Sequence, residues 1–149
     1  MKKFLLAAAV VSALGAGAAF AQVPPDQSVK VRQGGLRLMA IHFGRINAHI
    51  KGERTLTPAQ LEQSAVVVDT LAKVVYEGFI EGNDQSANTK AKPEIWKEFP
   101  KFKEAIAKIQ AETPKLVAAA KGTDKAALQA AFGGVGGACK NCHDTYRVN

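Results

Sequence analysis

Apolar residues recur along most of this chain at steps of three and four, the period of a helix with one buried face. Leu36, Met39, Phe43, Ile46 and Ile50 mark the first such face and predict a helix over about 28–50. Asp26-Gln27-Ser28 offers side-chain acceptors at its start, and Gly52 is a stop. Thr57-Pro58-Ala59-Gln60 predicts a second start: a Thr cap, Pro at the first helical position, and Gln three residues after the cap. Leu61, Ala65, Val68, Leu71, Ala72 and Val75 carry that helix to about 77. From Gly78 to Lys92 the period is lost, and Gly82-Asn83-Asp84 and Ser86-Ala87-Asn88 supply turn chemistry, so this is the one long connection. Pro93-Glu94-Ile95-Trp96 predicts a short helical turn.

Phe102, Ile106, Ile109, Leu116 and Val117 mark a third long helix over about 100–120, with Pro114 predicting a kink or a break inside it. Gly122-Thr123 should end that helix and cap the next, which runs over about 124–146 through Leu128, Phe132, Val135, Cys139 and Cys142. Four amphipathic helices with two short connections and one long one predict an all-α fold, an antiparallel up-down-up-down four-helix bundle. Gly133, Gly134, Gly136 and Gly137 do not suit the last helix, since each costs up to about 1 kcal/mol against Ala. They imply either a broken helix or something bulky lying against its backbone.

Composition narrows the picture. The chain has 149 residues, which suits one domain with one core. Its 20 Lys and Arg exceed its 13 Asp and Glu, but the positive charge is spread along the sequence, and little in it points to a nucleic-acid partner. The first 21 residues read separately: Lys2-Lys3, an apolar run from Phe4 to Leu14, then Ala19-Phe20-Ala21, the pattern of a cleaved secretory signal peptide. That run is too short for a good membrane span, and no second one follows, so the product 22–149 should be exported, away from the membrane, to a bacterial periplasm. Both cysteines lie in that part, and two are too few for a disulfide scaffold.

Their spacing carries the chemistry. Cys139-Lys140-Asn141-Cys142-His143 is C-x-x-C-H, the attachment signature of a c-type haem. On a helix, positions three and four apart share a side. Two thiols can then form thioethers with the vinyl groups along one porphyrin edge while the imidazole turns under the ring to bind iron, and the preceding glycines could let the porphyrin approach the backbone. A thioredoxin-like dithiol would need a preceding strand, which is missing. A zinc site would need a fourth ligand from His42 or His49, and a disulfide across one helical turn would be strained. Haem c, one per chain and covalently attached, is the cofactor these residues predict.

The motif stands six residues from the last residue of the sequence, with no Met after it. Together with Val31-Arg32-Gln33-Gly34-Gly35-Leu36, His42-Phe43-Gly44-Arg45, Lys92-Pro93-Glu94-Ile95-Trp96 and Ala130-Ala131-Phe132-Gly133, the chain resembles the class II c-type cytochromes, specifically the cytochrome c′ family. The resemblance runs through the whole of 22–149. Periodicity alone lets either Leu36 or Met39 face the haem. In six-coordinate relatives of the cytochrome c556 type a Met stands where this chain has Leu36, whereas cytochrome c′ has an apolar cover there. The resemblance therefore implies a five-coordinate, high-spin iron bound by His143, with Leu36 as distal cover and Met39, His42 and His49 as packing or surface residues.

The resemblance also places Arg32 and Gln33 at the haem periphery, Thr89 near the propionates and Arg147 on the proximal side, while Lys90 and Lys92 read as a solvated loop. It implies binding of small diatomic gases such as NO and CO, without an enzyme's distal base. Periplasmic electron transfer with redox partners, favoured towards acidic ones by the basic charge, is the companion function, and a low-spin carrier with a Met ligand the alternative. It further implies a homodimer built from the first two helices, where Ala59, Ala65 and Ala72 could allow close packing.

Overall fold

The structure is a computed structural model and describes residues 24–80 and 88–148. The expected signal peptide and the turn residues Gly82, Asn83, Asp84, Ser86 and Ala87 lie outside the described residues. The elements are α1 (Pro25–Ile50), α2 (Pro58–Val74) with a 3-10 turn at Val75–Gly78, α3 (Glu94–Lys97), α4 (Phe99–Lys121) and α5 (Lys125–Tyr146). The four long helices form the up-down-up-down bundle. Consecutive ones pack side by side, and α5 returns against α1.

Local chemistry explains most boundaries. α1 starts earlier than expected because Pro25 occupies its first position, where the missing amide costs nothing. Asp26 and Ser28 therefore lie inside the first turn rather than capping it, and the Ser28 hydroxyl donates to Pro25 O at 2.8 Å. Past its end Gly52 takes φ 75°, the left-handed conformation that favours glycine. The capping box at α2 forms in both directions: Gln60 N–H donates to Thr57 Oγ1 at 3.3 Å, and Thr57 N–H donates to Gln60 Oε1 at 3.1 Å. α2 tightens into the 3-10 turn before residue 77 because Gly78 presses on α1, where a Cβ would stand 2.7 Å from that of Arg32.

Of the alternatives at Pro114 and at the α5 glycines, a broken helix is excluded at both. α4 continues through Pro114, whose ring is exposed, because its neighbours are locked inside. Thr113 is fully buried and donates its hydroxyl to Asp69 Oδ1 of α2 at 2.8 Å, and Leu116 is fully buried as well. Interhelical packing outweighs the one backbone bond that proline removes. α5 is likewise continuous through its glycines. A Cβ on Gly134 would meet Glu112 Oε2 of α4 at 2.6 Å, and one on Gly136 would touch the Phe43 ring of α1 at 3.7 Å. At these two positions the bulk against the backbone is neighbouring helices. A correction concerns the α5 cap: it is Asp124, whose Oδ1 accepts from Ala126 and Ala127 N–H, in place of Thr123.

The core is divided. Ile46, Leu61, Val68, Leu116, Leu128 and Val135 belong to one cluster, at the end of the bundle with the α1–α2 and α4–α5 connections. Ile95, Phe102 and Tyr146 form the other, with Phe79, Trp96 and Cys142 packed on it. Ala65 and Ala72 are inside the bundle, at 0% and 3% exposure, so they cannot supply a dimer contact; Ala59 is exposed.

The cap assignment gives a direct expectation. Asp124→Ala should cost about 1 kcal/mol, the usual loss for an N-cap, whereas Thr123→Ala should stay within about 0.5 kcal/mol. Urea unfolding of the two variants checks it.

Candidate cofactor site

Between the two clusters lies a cavity of about 440 Å³. Val68 and Val135 line it from one cluster, and Ile95, Phe102 and Tyr146 from the other. An enclosed void of that size would cost on the order of 10 kcal/mol, comparable with the entire stability of an ordinary domain, about 5–15 kcal/mol. The mouth is open, which makes that an upper bound, and the lining is almost entirely apolar. The volume lies in the range of cofactor pockets.

α5 brings Cys139, Cys142 and His143 to this cavity, and α1 faces them with Leu36, Met39, Ala40 and Phe43. Both thiols are free and partly buried. Burial raises the Cys139 pKa, and burial together with Cys139 pushes Cys142 up to about 11. Such thiols stay protonated at neutral pH. A redox dithiol wants the opposite, a depressed thiol pKa, and no group of three or more potential metal ligands occurs among the described residues. His143 is exposed at the mouth. Its pKa is lowered first by desolvation and then by Arg147, with Asp144 opposing, and this favours the neutral imidazole that can ligate a metal.

Arg32 is 2% exposed and also lines the cavity. Its guanidinium donates to Gly78 O at 3.2 Å and to Thr89 Oγ1 at 2.7 Å, and lies 4.6 Å from the Phe79 ring centre and 5.7 Å from that of Trp96. Trp96 is held in turn by its indole N–H donating to Ile80 O at 2.8 Å. No carboxylate of the described residues pairs with Arg32, and burial lowers its pKa. The cavity lining holds three further cations, Arg37, Lys90 and Arg147, and no Asp or Glu. A flat apolar group with anionic edges fits this lining: apolar walls, four cations, two thiols and a neutral imidazole. Cys139, Cys142 and His143 are the residues that would hold haem c.

The remaining expected residues fall as follows. Leu36 and Met39 both line the cavity, so α1 presents both to the site. Gln33 is exposed and does not line it; its side-chain amide donates to Asn88 O at 2.7 Å and holds the long connection to α1. Thr89 lines the cavity and anchors Arg32. His42 is not a lining residue, and its Nδ1 is buried without a hydrogen-bond partner. The Nδ1 of His49 accepts from Leu56 N–H at 3.2 Å, a loop anchor. Lys92 is not a solvated loop residue, because its ammonium bonds the carbonyl oxygens of Asp144 and Thr145. Phe79 and Tyr146 were not expected at the site, while Phe102 was expected only on the apolar stripe of α4 and Trp96 only in the short helical turn.

A bundle with this cavity defines the class of four-helix haem-binding proteins. The family model for cytochrome c′ matches residues 27–147, and the chain belongs to the cytochrome c′ family. It is similar to the cytochrome c′ of Alcaligenes xylosoxydans xylosoxydans, 41% identical over 83% of this chain and 94% of that one. It superposes on crystalline cytochrome c′ from Rubrivivax gelatinosus with TM-score 0.78 and 37% identity, covering 83% of this chain and 97% of the other. A nitric oxide complex of a leucine-to-alanine variant of the Alcaligenes xylosoxidans protein matches with TM-score 0.77 and 39% identity, over 84% and 96% of the two chains. Membership of the family implies haem c as cofactor.

Proposed function

We propose that this chain is an exported, periplasmic haem c protein that binds NO and CO and passes single electrons. One haem is held by thioethers from Cys139 and Cys142, with His143 on the iron and no second protein ligand. The observation that carries this reading is the opposition of the two walls: thiols and imidazole on α5, an apolar Leu36, Met39, Ala40 and Phe43 surface on α1. The haem would supply an iron that binds a diatomic molecule and changes oxidation state. The chain's own contribution is to hold it and to set what reaches it. Leu36 admits small neutral ligands and offers no hydrogen bond to a polar one. No histidine or carboxylate lines the α1 wall, so a general acid or base is missing there, and we read the protein as a binder and carrier rather than an enzyme. The bound nitric oxide of the Alcaligenes xylosoxidans structure supports the gas-binding half. Among the described residues no helix is long and apolar enough to cross a membrane.

Electron transfer needs a partner at the mouth, where Arg37, Lys90 and Arg147 are exposed; they favour an acidic redox protein through salt-sensitive steering. A second reading rests on Met39, which reaches the same cavity as Leu36 and has a thioether that can ligate iron. Ferrous spectra separate the two. A high-spin spectrum that Met39→Leu leaves unchanged and Leu36→Met shifts towards low spin supports the open site. A low-spin protein turned high-spin by Met39→Leu alone establishes the Met-ligated carrier. Replacing both Cys139 and Cys142 by Ala should leave haem extractable by acid-acetone.

We also propose a homodimer through α1 and α2. The exposed large apolar side chains of the long helices are Val31, Leu38 and Ile41 on α1 and Val66 and Val74 on α2, while α4 and α5 expose none. These residues replace the alanines in the expected contact. Sedimentation at micromolar concentration should show a dimer that Leu38→Lys dissociates; a clean wild-type monomer rules the dimer out.

A further inference from the structure

An α-helix leaves its last four carbonyls without intrahelical partners. In α5 they are all satisfied, and three of the four by one residue. Arg147 N–H donates to His143 O at 3.0 Å, the Lys92 ammonium donates to Asp144 O at 3.3 Å and Thr145 O at 3.2 Å, and Lys92 N–H donates to Tyr146 O at 2.9 Å. The usual glycine stop is absent, because Arg147 follows the helix in extended conformation at φ −124°, ψ 137°. Without Lys92 this last turn would depend on water, and helix ends held only by water fray. His143 stands within that turn, three residues before its end.

Lys92 is itself well anchored. Ala91 and Arg147 form an antiparallel bridge, Val148 N–H donates to Lys90 O at 2.8 Å, and Pro93 biases the residue before it towards extended backbone. Three residues before Lys92, Thr89 Oγ1 accepts from both Arg32 and Ala91 N–H. The short segment 88–92 thus joins α1 on one wall of the cavity to the end of α5 on the other.

We propose that Lys92 is a positioning residue for His143, fixing the turn from which the imidazole projects and placing one positive charge at the negative end of the α5 dipole. The proposal rests on His143 being the iron ligand. Its test uses the full haem-loaded protein and two readouts that a purely structural cap would not move: the iron–histidine stretching band in the ferrous resonance Raman spectrum and the midpoint potential. Lys92→Met should broaden or shift the band and lower the potential, because a cation that favours the reduced iron is lost. Lys92→Arg, which keeps charge and donors, should restore both. A Lys92→Met protein with unchanged band and potential overturns the proposal, even if it melts earlier. Should Lys92→Met fail to accumulate, Lys92→Gln retains a donor without the charge; a shift in the same direction supports the proposal and an unmoved band overturns it. An unsubstituted protein whose ferrous spectrum is high-spin but has no iron–histidine band refutes the His143 reading and the proposal together, whereas a band insensitive to Lys92 refutes the proposal alone.

Discussion

A bundle of four helices ordinarily closes on itself, each apolar stripe finding another across the axis. Here the stripes of α1 and α5 meet at Phe43, whose ring stacks on Phe132 at 4.0 Å, and part beyond it, where Leu36 and Met39 share with Cys139, Cys142 and His143 the lining of a cavity of about 440 Å³. The rest of the structure depends on that separation. Phe79, Ala91, Ile95 of the short α3, Phe102 and Tyr146 close one end of it, and the cluster around Ile46 and Leu116 closes the other. An apolar cofactor in this position belongs to the core as much as any side chain does, which ties holo-protein stability to cofactor binding.

The second constraint is the charge at Arg32. A buried guanidinium is costly unless every direction around it is answered. Two aromatic faces, one carbonyl and one hydroxyl answer part of it, and none of these is anionic. The tight approach of Gly78 and the hydrogen bond of Trp96 to Ile80 O both serve to bring these groups to Arg32, so this side chain organises the irregular part of the fold. It also leaves the cavity electropositive. That suits a cofactor bearing carboxylates, and it explains how an otherwise apolar site can admit one.

Legibility in the sequence followed the range of the interactions. The Thr57–Gln60 capping box and the Cys139, Cys142, His143 triplet are contained within one or two helical turns, and both were readable as they stand. Pro114 and the α5 glycines left alternatives open because their outcome is set across helices, by Thr113 reaching Asp69, by Glu112 against Gly134 and by Phe43 against Gly136. Thr89 and Arg32 were placed at the site by resemblance alone; their mutual bond spans 57 positions, and no local pattern encodes it. Leu36 and Met39 were ambiguous in periodicity and remain neighbours on the same wall, since residues three apart on a helix share a face.

Lys92 shows the same limit from the other side. A lysine in a polar stretch before a proline carries no local mark of function, and its ordinary reading is a solvated loop residue. Its partners lie about fifty positions away, at the end of the helix that bears the haem motif. Because the same segment also holds Arg32 through Thr89, a displacement of α1 at Arg32 and a displacement of α5 at His143 meet in five consecutive residues. Leu36 stands one turn after Arg32, and His143 one turn before Arg147. The two walls of the site are therefore connected by backbone and side-chain hydrogen bonds of segment 88–92 as well as by whatever fills the cavity, so the distance between them is constrained even where the helices themselves do not touch.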